Sequence, residues 1–404
     1  MPESTHPESP RQENALTVSP EEAGMKLLRF LERRLPQAPS QGVLHKWVRT
    51  GQVRLNGGRT KAFALLEGGD IVRVPPFALA SAMGKDCGAD GNSISSLELL
   101  AAEGITLVAA TKNILVMNKP GGLAVQSGTG QGDSVEEKLK RAWNRHLYQP
   151  SPAHRLDRHT SGLLLAGLHH KAQQALHRSF ADGGVTKDYL AWVVGSWPDN
   201  RPCLLVDSIH KTMLHTAEGK SREVMQAADG GQCLPTPNTW ETHHRSEGDG
   251  EERREGHAAA VVLPVCFMSA AALAQAVQIV GSRHSGTENA GATLMLVRLL
   301  TGRTHQIRVQ LASRGFPLIG DGRYGGPAFS RMLLHAWRVA LSADLAGMES
   351  AHPTLPQARP TAQRSGDEAV FSVLPPWPPC FMPDEGELGQ ALEKLHIALR
   401  NEQE

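Results

Sequence analysis

The chain has 404 residues, which is enough for two or three domains and for a hydrophobic core without disulfide or metal support. Lys and Arg number 42 and Asp and Glu number 41, so the net charge of +1 excludes an argument for nucleic-acid binding from overall charge. The five cysteines are scattered without C-x-x-C spacing, which predicts neither a zinc ribbon nor a disulfide framework. A reducing cytosol fits this pattern best, so we expect a cytoplasmic protein.

The first 76 residues divide into a polar tail and a small α/β domain. Residues 1–20 are rich in Pro, Ser, Glu and Gln, have no signal-peptide pattern, and are predicted to be disordered. Leucines at helical spacing predict a helix over 27–35, and a second helix is predicted through 43–48. Alternation at 53–55 and 70–74 predicts two strands. Residues 21–76 therefore form a domain of their own.

This domain carries the local positive charge that the whole chain lacks. Ten basic and three acidic residues between 24 and 76 give a local charge of +7, and Lys46, Arg49 and Arg54 are among the cations. Such a surface suits contacts with nucleic-acid phosphates, but it is equally typical of an ordinary solvated face. Charge alone leaves the two readings open.

A linker is predicted over 77–104, followed by a larger domain over 105–400. Short apolar runs without regular strand–helix alternation favour the α+β class for this domain. The apolar segment 258–280 is predicted to be a buried strand and an Ala-rich helix rather than a membrane span. Polar stretches near 228–256 and 346–367 are predicted to be surface insertions.

The densest polar cluster is His154–Gly162, at the start of an apolar run. Asp157 lies between Arg155 and Arg158, and neighbouring cations favour an ionised carboxylate that can act as a nucleophile or a base. The same cations can hold an anionic substrate. The segment lacks the H-E-x-x-H spacing of a zinc site. A salt-bridged loop before a strand is the structural alternative.

Two further stretches combine polar side chains with a strand. Thr301–Arg308 follows a predicted buried strand, and its Arg308 is a candidate charge partner for Asp157. Lys187 and Tyr189 open another strand, where a plain core tyrosine is the alternative to a functional one.

These stretches together resemble the RluA-type family of RNA pseudouridine synthases. His154–Gly162 is similar to the family's H-R-L-D-x-x-T-S-G signature, which it matches completely. The further similar motifs follow in the family's order: Lys119–Gly122 before the signature, and Lys187–Ala191, Arg303–Arg308, Gly320–Gly325 and Leu334–Ala336 after it. Residues 43–56 and 66–74 resemble the S4-like RNA-binding domain that many members carry. Arg73–Pro76 and Gly122–Val125 look most like the branch that modifies large-subunit rRNA.

The resemblance implies a pseudouridine synthase fold, which has a mixed, mainly antiparallel sheet with flanking helices and a central cleft. It implies that Asp157 is the catalytic carboxylate for cleaving the uridine C1′–N1 bond before reattachment through C5. Whether Asp157 forms a glycosyl ester or removes a proton towards a glycal stays open. Arg308 would orient Asp157 by an ion pair.

The same resemblance implies roles for residues around the carboxylate. Tyr189 would stack on the uracil, and Arg155 would enter the RNA stack that the target base leaves. Arg303 and His305 would support the substrate. Gln310 stands where the family usually has His, and we expect this difference to bear on RNA affinity rather than on chemistry.

The leading hypothesis is therefore that the chain is an isomerase that acts on RNA, with large-subunit rRNA as its expected substrate. Its alternatives are a tRNA-directed synthase and a catalytically silent RNA-binding factor for ribosome assembly. The expected partner is RNA, with no membrane and no obligate protein partner, and family precedent favours a monomer. The reaction retains the nucleobase, so a single carboxylate suffices and no metal or cofactor is expected.

Overall fold

The computed structural model describes residues 14–35, 41–78, 96–127, 133–144, 148–215, 221–227, 233–235, 257–279, 290–347, 361–365 and 367–400. Its strands, in chain order, are β1 Ala15–Thr17, β2 Arg54–Leu55, β3 Ile71–Arg73, β4 Thr106–Ala110, β5 Ile114–Lys119, β6 Ser151–Pro152, β7 Ser161–Gly167, β8 Thr186–Val194, β9 Cys203–His215, β10 Ser221–Ala227, β11 Cys233–Pro235, β12 His257–Met268, β13 Ala292–Leu299, β14 Leu334–Ser342, β15 Thr361–Ser365 and β16 Glu368–Ser372. Its helices are α1 Leu27–Arg34, α2 Gln41–Thr50, α3 Ser96–Ala102, α4 Val135–Ala142, α5 His170–Ala181, α6 Ala270–Ile279, α7 Gln306–Ala312, α8 Ala343–Ala346 and α9 Glu385–Arg400.

The front domain, residues 14–78, packs α1 and α2 with a three-stranded antiparallel sheet in the order β1-β3-β2. The apolar faces of the helices supply its core, with Phe30, Leu31 and Leu44 fully buried. Asn56 and Gly57 both have positive φ values, as a tight Asn-Gly turn requires. The predicted α/β character is confirmed, although the domain begins earlier than predicted.

The front domain rests against the larger domain through a few named contacts. Tyr148 of the larger domain is buried in the front domain's core cluster. The Arg33 guanidinium lies 4.7 Å from the centre of the Tyr148 ring. The 3-10 turn Pro20–Glu22 contacts α5. These contacts join the front domain, with its basic side chains, to the larger domain, which contains the cleft described below.

The larger domain is built on a sheet whose described strands run in the order β10-β9-β12-β13-β8-β14-β7-β5-β4. The described neighbours pair antiparallel except β14 with β7, which pair in parallel. This mixed, mainly antiparallel sheet with helices confirms the predicted α+β class.

The two faces of the sheet bury separate apolar clusters. Along β8, Tyr189, Ala191 and Val193 belong to one cluster, whereas Leu190 and Trp192 belong to the other. This alternation is what a strand buried on both faces requires. Tyr189 therefore points to the face that also carries α4 and α7.

The parallel pairing of β7 with β14 requires a glycine. Gly162 is opposite Ala336 in the register, and its φ of +114° lies in a region that side chains rarely adopt. A Cβ at this position would lie 2.3 Å from the Ala336 carbonyl oxygen. The close approach places the start of β7, which follows the Asp157 loop, against the centre of the sheet.

Four segments predicted as tail, linker or insertions contain short regular elements. The tail predicted over 1–20 includes β1, which pairs with β3, while residues 1–13 lie outside the described part. The linker predicted over 77–104 includes α3, whose Leu100 is fully buried against the larger domain. Of the insertion predicted near 346–367, β15 pairs with β16. Of that near 228–256, β11 pairs with β9, and the remainder lies outside the described residues.

The apolar segment 258–280 is a strand followed by a helix, as predicted. Within the described ranges, no helix has the length and apolar character needed to cross a bilayer. Cys203 is disulfide-bonded, which the scattered spacing did not predict, whereas Cys266 and Cys380 carry free thiols.

Candidate active site

Asp157 lies in the loop between β6 and β7, at the wall of a cavity of about 670 Å³. The loop closes with a hydrogen bond from the Thr160 amide to the Asp157 carbonyl at 3.1 Å. His154 holds the base of the loop, since its Nε2 accepts from the Leu165 amide at 3.1 Å. Burial lowers the pKa of His154 to about 3, so this imidazole is neutral and can act as an acceptor at neutral pH.

Lys119, at the end of β5, ties the Asp157 loop to the preceding turn. Its ammonium group is fully buried and donates to the carbonyl oxygens of Pro120, Leu123 and Arg158 at 2.9–3.1 Å. Burial lowers the pKa of Lys119 to about 8, although the charge of Asp157 acts in the opposite direction. One buried cation thus joins two carbonyl groups of the preceding turn to one carbonyl group of the Asp157 loop.

Arg308, on α7, links two carboxylates. Its Nη1 donates to Asp157 Oδ2 at 3.1 Å. Its Nε and Nη2 donate to the two oxygens of Asp321 at 2.7 and 2.8 Å. Burial disfavours the charged guanidinium, but the bonds and charges of the two carboxylates outweigh it and raise the pKa of Arg308. The ion pair fixes Arg308 in the orientation that reaches Asp157.

His305 contacts the same oxygen from the other side. It precedes α7 in the left-handed conformation, with a φ of +56°, and its Nε2 lies 3.8 Å from Asp157 Oδ2. Its Nδ1 is 2.7 Å from the Tyr324 hydroxyl, which also accepts from the Met225 amide. Burial lowers the pKa of His305, with Arg308 adding to the effect and Asp157 opposing it. His305 is therefore neutral at pH 7 and can present an N–H to the carboxylate.

Tyr189 lines the same cavity as Asp157 and is almost completely buried. Burial, together with the charges of Asp157 and Asp188, raises the pKa of its phenol. The side chain is therefore a neutral aromatic ring at neutral pH. Leu334 and Ile307 also line the cavity, so an apolar wall faces the carboxylate. A planar ring with polar edges fits such a space.

The two other predicted support residues lie at the cavity's rim. Arg155 is exposed and lines the cavity. Arg303 is also exposed, and its Nε donates to the His257 carbonyl at 2.9 Å. Within the described residues, Asp157 forms an ion pair with Arg308 and not with the adjacent arginines Arg155 and Arg158.

The candidate RNA contacts of the front domain lie apart from this cavity. Lys46 and Arg49 are exposed on α2. Arg54 is half-buried, and its guanidinium donates to the carbonyl oxygens of Gly51 and Gly57, at 3.4 and 3.3 Å. Arg54 therefore holds the local turn, whereas the other two present their charges to solvent.

Comparison with known proteins assigns a family to this arrangement. Residues 113–313 match the model of the RNA pseudouridylate synthase family, a stretch that includes Asp157, Tyr189 and Arg308. This match, together with the relatives named below, shows an RNA pseudouridine synthase, which is an isomerase.

Relatives of this synthase have similar lengths. Ribosomal large subunit pseudouridine synthase C of Escherichia coli (strain K12) is 29% identical over 322 residues, covering 80% of this chain and 82% of the relative. The protein of the same name from Pasteurella multocida (strain Pm70) is 29% identical over 335 residues, with 80% and 84% covered. Among solved structures, human RNA pseudouridylate synthase domain containing 1 matches with a TM-score of 0.43 and 20% identity, covering 72% of this chain and 94% of that chain.

The structure adds residues to the site of this synthase that sequence reasoning did not select. Lys119 and Asp321 were part of quoted motifs, but their contacts with the loop and with Arg308 depend on the fold. Tyr324 orients His305 in the same way. Gln310, expected to bear on RNA affinity, is fully buried and donates to Asp207 at 2.7 Å, so its side chain is not exposed for direct contact with RNA.

Proposed function

We propose that this synthase converts uridines of large-subunit rRNA into pseudouridine, with Asp157 as the catalytic carboxylate. The observation that carries the proposal is the position of Asp157, held by Arg308 at 3.1 Å on the wall of a cavity that also contains Tyr189. The rRNA substrate is proposed from the relatives named above, whose names state that they act on the ribosomal large subunit.

The reaction is an isomerisation that needs no second substrate. The C1′–N1 bond of the uridine breaks while the Asp157 carboxylate acts at the ribose, either at C1′ as a nucleophile or at C2′ as a base. The freed uracil rotates in the cavity, and its C5 forms the new bond to C1′. On the nucleophilic route the ester bond between Asp157 and C1′ breaks in this step, and on the other route C2′ regains the proton that Asp157 had removed. C5 then loses its proton, and N1 gains one, so atoms and charge balance.

Each surrounding residue contributes to one part of this reaction. Arg308 keeps the carboxylate directed into the cavity through its hydrogen bond to Oδ2. Tyr189 stacks on the uracil and excludes water from it, because its ring is neutral and buried. The target must leave its RNA stack, which costs a few kcal/mol. Arg155, exposed at the rim, occupies the space that the base leaves, and Arg303 and His305 support the bound nucleotide.

We further propose that the front domain binds RNA as an S4-like domain. Its exposed cations include Lys46 and Arg49, and its acidic side chains are few. Phosphate contacts from such a face release counterions and hold a large RNA near the cleft. Arg54 contributes by keeping the turn in place.

The test is carbodiimide-based mapping of pseudouridine in rRNA from cells with and without the gene. We expect discrete large-subunit sites to disappear on deletion and to return with the wild-type protein but not with Asp157→Asn. The Asn variant should bind RNA with nearly unchanged affinity, because it removes a negative charge. Turnover by Asp157→Asn at the wild-type rate would contradict the assignment. Unchanged rRNA with altered tRNA would move the substrate to tRNA, and no change in either would favour a silent RNA-binding factor.

A further inference from the structure

A second cavity, of about 470 Å³, lies next to the first and shares three residues with it. The shared residues are Asp157, His305 and Arg308. We call the first the cleft cavity, which contains Tyr189, and the second the side cavity, which is lined by Arg158, His159, Gly320–Arg323 and Phe329–Met332. The catalytic carboxylate is thus part of the wall between the two.

The side cavity is positively charged. Four arginines line it, Arg158, Arg308, Arg323 and Arg331, against two carboxylates, Asp157 and Asp321. Both carboxylates are already hydrogen-bonded to Arg308. The positive charge of Arg323 also acts on His305, which lines both cavities, because it contributes to lowering the pKa of that imidazole. A cavity with this balance favours an anion such as a phosphodiester.

An aromatic ring completes the lining. Phe329 is half-buried and held edge-on against Phe381, with ring centres 5.3 Å apart. It lines the side cavity among the arginines, and His159 lines it from the Asp157 loop. Cations beside a fixed aromatic ring are the combination that binds single-stranded nucleotides.

We propose that the side cavity binds the nucleotide adjacent to the target uridine on the same RNA strand. The inference rests on the proposed function. When the target ribose is at Asp157 and its base is in the cleft cavity, the RNA strand must continue on the other side of the carboxylate. The adjacent nucleotide of the strand then lies at the side cavity. The linking phosphate lies near Arg323, and the adjacent base packs on Phe329. The side cavity thereby contributes to the choice of uridine.

The test is a double-mutant cycle between the protein and the RNA. The protein variants are Arg323→Gln and, as a matched control, Arg201→Gln, which is exposed and lines neither cavity. The RNA carries one uncharged methylphosphonate linkage, placed on the 5′ or on the 3′ side of the target. Both Kd and kcat/KM are measured for every pair.

We expect one of the two linkages to weaken wild-type binding and turnover about tenfold, as one lost phosphate contact does. Arg323→Gln should lose about the same factor on unmodified RNA and lose nothing further on that modified RNA. Arg201→Gln should behave as wild type. If the loss caused by Arg323→Gln multiplied with the loss caused by each of the two linkages, Arg323 would contact neither phosphate. That result would overturn the side-cavity site. Absence of turnover by wild type on any RNA would instead contradict the proposed function, and the cycle in Kd would still decide the site.

Discussion

Arg308 gives two of its N–H groups to Asp321 and only one to Asp157. The bidentate pair fixes the plane of the guanidinium, and the single bond to Asp157 leaves the second carboxylate oxygen available for chemistry. Asp321 therefore acts as a positioning residue, because it reaches the substrate only through the arginine.

Replacing Asp321 by Asn keeps the shape of the side chain and removes its charge. We expect kcat to fall about 10- to 100-fold, since one charge-assisted contact is worth about 1.5–3 kcal/mol, while KM changes little. Steady-state kinetics on a single-uridine RNA measures both. Asp199→Asn, which removes the exposed partner of Arg201, is the control and should leave kcat unchanged. A raised KM with an unchanged kcat would assign Asp321 to substrate binding instead.

Replacing Lys119 by Met leaves three carbonyl groups without their shared donor. We expect the free energy of unfolding to fall by about 3 kcal/mol and kcat to fall with it, because the Asp157 loop loses its attachment to the preceding turn. The control is Lys140→Met, since that lysine is exposed on α4 and pairs with Glu136 one turn away. Urea titration and turnover assays measure the two effects. Equal losses in the two variants would show that the buried ammonium does not hold the loop.

Gly162→Ala tests the close approach of β7 and β14. The added Cβ would meet the Ala336 carbonyl at 2.3 Å, so we expect a loss of at least about 3 kcal/mol and poor recovery of folded protein. Gly104 is the matched control, because it also has a positive φ, of +82°, but its Cβ would meet nothing within 4 Å. Gly104→Ala should cost only the backbone strain, about 1 kcal/mol. Similar thermal midpoints for the two variants would contradict the steric argument.

The stability of the larger domain should decrease in acid because of His335. Its ring is fully buried, bonded to Ser161 Oγ and to the Val373 carbonyl, and burial lowers its pKa from 6.5 to about 4. Between these values the unfolded state binds more protons than the folded state. Stability is therefore lost as the pH falls from about 6.5 to about 4, by about 3 kcal/mol in total.

Chemical denaturation at a series of pH values measures this loss. His335→Asn, which cannot titrate, should show a smaller slope of the free energy of unfolding between pH 6.5 and 4. His154 contributes in the same direction and remains in both proteins. An identical slope in wild type and variant would show that His335 is not the group responsible.

The front domain's part in RNA binding is testable through salt. We expect Lys46→Gln combined with Arg49→Gln to weaken binding and to reduce the slope of log K against log salt by about 1.4–1.8, which is two phosphate contacts. Lys394→Gln, exposed on α9, is the control. An unchanged slope would mean that neither Lys46 nor Arg49 contacts a phosphate.

Much of the fold was predictable because strong periodicity and turn chemistry act locally. The helix predicted over 27–35 agrees with α1, Leu27–Arg34, since Leu27, Leu28 and Leu31 recur at helical spacing and are buried in the core. The strand β1 and the helix α3 were missed because three and seven residues carry too little pattern. Their stability comes from partners distant in sequence, such as β3 for β1.

The site was predictable only as far as its motifs were recognisable. Asp157 and Arg308 were paired in the sequence analysis through recognised motifs, because adjacency in the sequence alone favours Arg155 and Arg158 as partners. The observed partner is 151 positions away. Asp321 lies in the recognised motif Gly320–Gly325, but its contact with Arg308 had no local signal, because that contact depends on the packing of α7 against the turn that follows it.

The parallel pairing of β7 with β14 has a consequence for biosynthesis. Ser161 and its partner His335 are 174 positions apart, so the centre of the sheet cannot close until β14 has been made. A chain of high contact order folds late and slowly. Throughout translation the growing polypeptide thus holds its catalytic loop without the strand that supports it, and activity begins only after release of nearly the whole chain from the exit tunnel.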